Sequence, residues 1–86
     1  SNNNNKMVNT KIVFKISKYT EKYKLLFGNK EYDLDQMEKF EDDDFYYFNL
    51  GNYDIEKTRN IIFQLTRLSN NNENIKYSFL VEDLNC

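Results

Sequence analysis

The chain has no histidine, no proline and no tryptophan, and its single cysteine is Cys86, the last of 86 residues. Without histidine, neither the usual zinc ligand sets nor the Ser-His and Cys-His pairs of hydrolytic catalysis can be assembled. One cysteine allows no internal disulfide and no cysteine-rich metal site. Long apolar runs are missing too: nothing approaches the ~20 residues that a membrane-spanning helix needs. The opening SNNNNKMVNT lacks the apolar core of a signal peptide. A piece of a longer precursor that makes no use of a membrane is the expectation. The 12 basic and 14 acidic residues are well mixed and leave a net charge of −2. The basic footprint of a phosphate-binding surface is therefore absent, and nucleic acid is a disfavoured partner.

The chain is rich instead in Asn, Lys, Ile, Tyr and Phe, a mixture that reads as the product of AT-rich codons. At this length there is room for one small core, and a single monomeric domain of modest stability is expected. Residues 1–9 are polar and Asn-rich, with too little apolar surface to offset the entropy of ordering, and read as a flexible leader. The domain is expected over residues 10–86.

Within it, TKIVFKIS sets Ile12, Phe14 and Ile16 against Val13 and Lys15, the period-two alternation of a half-buried strand. In SKYTEKYKLLFGN, Tyr19, Tyr23, Leu26 and Phe27 form one helical stripe, Ser17 or Thr20 can cap its start, and Gly28 with Asn29 can stop it. A helix of about nine residues is expected there, held by packing because it is too short to be stable alone. KEYDLDQMEKF gives a second strand through Tyr32 and Leu34, and FYYFNLG, residues 45–51, a third that exits at Gly51. A longer helix is expected over YDIEKTRNIIFQLTRL. Asp54 caps it, and Ile55, Thr58, Ile61, Ile62, Leu65 and Leu68 face inwards. IKYSFLVED then sets Ile75, Tyr77, Phe79 and Val81 against Lys76, Ser78, Leu80 and Glu82 in a fourth strand.

The order is β-α-β-β-α-β, so the expected class is α+β: a ferredoxin-like split sandwich, with a four-stranded antiparallel sheet carrying two helices on one face. The first and third strands take the middle of the sheet. Val13 and Lys15 then lie beside either Phe45 and Tyr47 or Tyr46 and Phe48. The helix-free face of that sheet is the expected partner surface, with Val13, Lys15, Phe45 and Tyr47 as its assigned contacts.

Each feature also has a plainer explanation. Half of the aromatics at 45–48 must fill the core whatever the other half do. Asp42, Asp43 and Asp44 lack the alternate spacing and closing Glu of a calcium loop, and read as a solvated turn. Glu82 and Asp83 are adjacent on a strand, point to opposite faces and cannot share one substrate. Cys86 has no histidine to serve as its base. No catalytic role, metal or cofactor is assigned.

With the terminal Val81, Glu82 and Asp83 followed by Leu84, Asn85 and Cys86, the chain resembles, in element order and size, the propeptide of subtilisin-like serine proteases. The resemblance implies a non-enzymatic folding assistant and product-like inhibitor, carried in the secretory pathway or outside the cell as part of a precursor. Its partner would be the protease catalytic domain, docked on the helix-free sheet face. Glu82 or Asp83 would cap helices of the protease, and Leu84, Asn85 and Cys86 would lie in the active-site cleft. The same element order, with DDDFYYFNLG in place of the third-strand aromatic motif, also resembles the RNA recognition motif. That implies Phe45 and Tyr47 stacking on single-stranded RNA or, in a degenerate copy, a protein partner. Asp43, Asp44 and Tyr46 stand where that motif has a basic residue and glycines. FNLGNYDIEKTRNIIFQL, more faintly, is similar to the small N-terminal domain of some leucyl aminopeptidases. Beneath these resemblances lies a simpler possibility, a small interaction module.

Overall fold

The computed structural model describes residues 10–54, 61–68 and 75–83. The expected leader over 1–9, the first half of the second helix and the tail Leu84, Asn85 and Cys86 lie outside these residues.

Thr10–Ser17 forms β1, where four inward β-branched and aromatic side chains, Thr10, Ile12, Phe14 and Ile16, alternate with half-buried ones. Tyr23–Phe27 is β2, Lys30–Asp33 β3, Phe40–Glu41 β4, Phe45–Tyr53 β5, Phe63–Arg67 β6 and Tyr77–Asp83 β7; a 3-10 turn, Leu34–Gln36, follows β3. The strands make two sheets, one ordered β4-β5-β1-β7 and the other β3-β2-β6, with every pairing antiparallel.

The expected α+β class with two helices is therefore corrected: the described residues hold no α-helix, and the layer over the four-stranded sheet is a second sheet. The reason lies in the pattern of the first expected helix. Tyr23, Leu25 and Phe27 are all buried at period two, whereas Leu26, which the helical stripe placed inside, is exposed. Gly28 and Asn29 do not stop a helix. They are the two-residue loop of the β2–β3 hairpin, where Phe27 pairs with Lys30 and Gly28 takes φ +64°. The second expected helix fails at its C-terminal half, because Phe63, Gln64 and Leu65 pair with Phe27, Leu26 and Leu25 as β6. Ile61, Ile62, Phe63 and Thr66 are β-branched or aromatic, a composition that favours a strand once an edge is offered.

The third expected strand does not exit at Gly51 but continues to Tyr53 through a bulge. Ile12 pairs with Gly51 and Val13 with Asn49, which leaves Leu50 as the extra residue. Gly51 sits at φ +105°, outside the reach of ordinary side chains, and its N–H donates to the Asn49 side-chain oxygen at 2.9 Å. The Leu50 carbonyl accepts the Tyr32 hydroxyl of the opposite sheet at 2.9 Å, and that hydroxyl also meets the Tyr53 hydroxyl at 2.6 Å.

Ile12, Phe14 and Ile16 of β1 and Phe48 and Leu50 of β5 face Tyr23, Leu25 and Phe27 of β2, Tyr32 of β3 and Leu34. Phe79 bridges the two sheets, its ring 4.9 Å from Phe14, 5.1 Å from Phe27 and 4.8 Å from Phe63.

Two substitutions test this packing by denaturant unfolding. Phe14→Ala, at a fully buried position, is expected to cost about 3–5 kcal/mol, close to the whole stability of so small a domain. Tyr32→Phe strands the Leu50 carbonyl and is expected to cost about 1–3 kcal/mol.

Candidate functional site on the outer sheet face

Because β1 turns Ile12, Phe14 and Ile16 inwards, it must turn Val13, Lys15 and Ser17 outwards. The register then decides what stands beside them. Lys15 is opposite Tyr47 on β5 and Ser78 on β7, Ser17 is opposite Phe45, and Val13 lies between Asn49 and Leu80. Of the two aromatic pairs that the alternation left open, Phe45 and Tyr47 share the outer face with Val13 and Lys15. Tyr46 and Phe48 point inwards, and Phe48 is fully buried.

Lys15 organises the centre of this face. Its Nζ lies 4.2 Å from the Phe45 ring centroid and 5.8 Å from that of Tyr47, within range of an attractive cation–π contact. β4 adds Phe40 opposite Tyr47, and at 68% exposure Phe40 is the most open aromatic ring of the patch. Its role escaped the sequence reading because a two-residue strand leaves no periodicity to detect. Leu80, also exposed, extends the apolar strip across β7.

The β4–β5 turn closes one end of the face with carboxylates. Asp42 is its hub: one carboxylate oxygen accepts the Asp44 and Phe45 N–H groups at 2.9 and 2.8 Å, and the other accepts the Tyr47 hydroxyl at 2.6 Å. These three donors, the Tyr47 hydroxyl foremost, hold the Asp42 carboxyl down at about 2. The same bond pushes the Tyr47 phenol up. Asp42, Asp43 and Asp44 are exposed in a turn, as read from the sequence, and the bonds to Asp42 order that turn and hold the Tyr47 hydroxyl. Lys18 ties the loop to β1, pairing with Glu41 at 3.1 Å and donating its backbone N–H to the Asp44 carbonyl.

Glu82 and Asp83 occupy the last positions of β7, across from Lys11 and Thr10 of β1. They are at one end of the same four-stranded sheet, at its outer edge. The tail residues Leu84, Asn85 and Cys86 lie outside the described residues.

A cavity of about 230 Å³ lies elsewhere, lined among others by Tyr19, Glu21, Lys22, Asp35 and Lys39. Burial, with Asp35 nearby, pushes the Tyr19 phenol up to about 12, so it stays protonated at neutral pH. The Glu21 carboxylate oxygens are shielded from water and have no hydrogen-bond partner among the described residues. No group of three or more His, Cys, Asp or Glu side chains among the described residues could hold a metal ion. No described helix is long and apolar enough to cross a membrane.

Comparison with known proteins adds no kinship: no family model matches the chain, and no curated protein or solved structure matches it.

Two outcomes check the site. A carboxyl group held below its ordinary value of 3.8 supplies stability that is present above that pH and lost as pH falls toward about 2. Tyr47→Phe is expected to raise the Asp42 midpoint, read by carboxyl-carbon NMR, and to shrink the loss of stability over that acid window. Glu21→Met, which removes two shielded carboxyl oxygens that have no hydrogen-bond partner among the described residues, is expected to raise the unfolding free energy by about 1 kcal/mol.

Proposed function

We propose that the chain is a non-catalytic binding module that takes a protein partner on the outer face of its four-stranded sheet. One observation carries this reading: Val13, Lys15, Phe40, Phe45, Tyr47 and Leu80 share a face that no described element covers. The patch has a ring-lined apolar centre and a carboxylate rim at Asp42, Asp43 and Asp44, the anatomy of a protein interface. Its complement is an apolar ridge flanked by lysine or arginine side chains, or by a helix N-terminus that attracts carboxylates.

A subtilisin-type protease is the narrower form of this reading. The arrival of Glu82 and Asp83 at the edge of the same sheet favours it. The two-helix layer that the resemblance implied gives it no support, and neither does it support the RNA reading. Single-stranded RNA is further disfavoured because the carboxylate rim repels phosphate and Asp42 already engages Tyr47.

The test places a photo-reactive phenylalanine analogue at Phe40 or Tyr47, with Glu31 on the other sheet as the control position, in cells that make the protein. Discrete protein adducts from Phe40 and Tyr47 and none from Glu31 are expected. Equal adducts from all three positions would overturn the reading, as would salt-sensitive binding to a single-stranded oligonucleotide that is lost with Phe45→Ala and Tyr47→Ala. Inhibition of a subtilisin-type protease that weakens when Leu84, Asn85 and Cys86 are deleted would identify the narrower partner.

A further inference from the structure

We infer that the chain forms a two-fold dimer through the outer edge of β7, with Phe79 opposite its own copy and Lys76 opposite Glu82 of the second chain. Sheet edges expose unpaired N–H and C=O groups and invite another strand unless they are blunted. Among the described residues the two sheets have four edges, and three of them are blunted. β4 has two residues, β3 has four and carries Lys30, Glu31 and Asp33, and β6 has five and ends in Arg67. The fourth, β7, runs seven residues in unbroken register with β1, without a bulge, a lysine or a proline. Its charges sit only beside or at its ends, Lys76 before it and Glu82 and Asp83 at its close.

Hydrogen-bond parity fixes which groups are available. The Ser17 N–H donates to the Lys76 carbonyl at 2.8 Å. Alternation along an antiparallel ladder then turns the main-chain groups of Ser78, Leu80 and Glu82 toward β1, and those of Tyr77, Phe79, Val81 and Asp83 away from it. A second β7 arriving antiparallel must match these outward residues with one another. The register centred on Phe79 does so, with Tyr77 opposite Val81 and Ser78 opposite Leu80. It also sets Lys76 opposite Glu82 twice by symmetry. Moving the register by two residues either way loses both charge pairs, setting Glu82 opposite Ser78 or Lys76 opposite Leu80. Charge complementarity thus names the occupant as a second copy of this chain. Tyr77 and Val81, 45% and 53% exposed, are the side chains the union would cover. The dimer joins two four-stranded sheets edge to edge and is independent of what the outer face binds.

The test is sedimentation of the full chain across micromolar concentrations. Wild type is expected to show a concentration-dependent dimer. Val81→Pro removes only an outward N–H, a change an edge strand tolerates, and is expected to abolish the dimer while leaving the circular dichroism spectrum and unfolding midpoint near wild type. Lys76→Glu and Glu82→Lys each convert both cross-dimer pairs to like charge and are expected to weaken self-association about tenfold. Mixed together, the two variants face each other with opposite charges at both positions and are expected to recover wild-type affinity. A monomeric wild type at the highest concentrations, a folded Val81→Pro dimer, or a mixture no tighter than its components would overturn the proposal.

Discussion

Everything in this domain rests on the contact between the inward row of β1 and the inward row of β2. Ile12, Phe14 and Ile16 are essentially inaccessible, as is Leu25 opposite them. Period-two burial in both strands lets two thin sheets close on one apolar layer. β1 is also hydrogen-bonded on both sides, to β5 and to β7, so it couples the core to the whole four-stranded sheet. Losing a ring at Phe14 would loosen contacts to Phe79 and Tyr77 as well as the layer below.

Around that layer, irregular elements decide what the outside shows. The bulge at Leu50 frees a carbonyl from the ladder, and Tyr32 takes it, so β3 of one sheet is tied to β5 of the other at the point where the ladder breaks. At the far end of β5, Asp42 gathers two backbone N–H groups and one phenol. With both ends of β5 anchored, the alternation between them puts Tyr46 and Phe48 inside and Phe45 and Tyr47 outside. The core and the candidate surface are two sides of the same four aromatic residues.

How much of this could be read from the sequence follows from how each segment signals its period. β1, β5 and β7 announce themselves, because Ile12, Phe14 and Ile16, the run Phe45 to Phe48, and Tyr77, Phe79 and Val81 fit a strand and no helix well. The segment at 19–27 is ambiguous. Tyr19, Tyr23, Leu26 and Phe27 fit a helical stripe while Tyr23, Leu25 and Phe27 fit a strand, and a nine-residue stretch cannot separate them by periodicity. The Gly28-Asn29 pair was the available arbiter, since a two-residue loop between alternating apolar runs is a hairpin signal. Phe63 to Arg67 was harder still, for its pairing with β2 is a long-range choice that local spacing does not record. At the candidate site, alternation and strand neighbours set Val13 and Lys15 beside either Phe45 and Tyr47 or Tyr46 and Phe48, and only the β1–β5 register chose the first pair. Phe40 and the bonding role of Asp42 do not follow from alternation, because a two-residue strand and a side-chain-capped turn depend on three-dimensional closure.

The replacement of two helices by a three-stranded sheet changes what the surface can do. Helices satisfy their own main-chain groups, so a helix layer adds no open edges, whereas a second sheet adds two. A two-sheet domain this small therefore has to manage four edges. Here three are short or charged, and the one left long and apolar belongs to the sheet that also carries the exposed rings. The β7 edge and the outer face of β1, β4 and β5, neither of them covered among the described residues, are perpendicular aspects of one sheet: a strand added at the edge leaves the face open, and a partner on the face leaves the edge open. Association along β7 would set two aromatic faces side by side on a continuous sheet, and two weak contacts to one extended target then act at high effective concentration. For a domain with so little surface, doubling the sheet is a physically economical way to make a modest patch bind firmly.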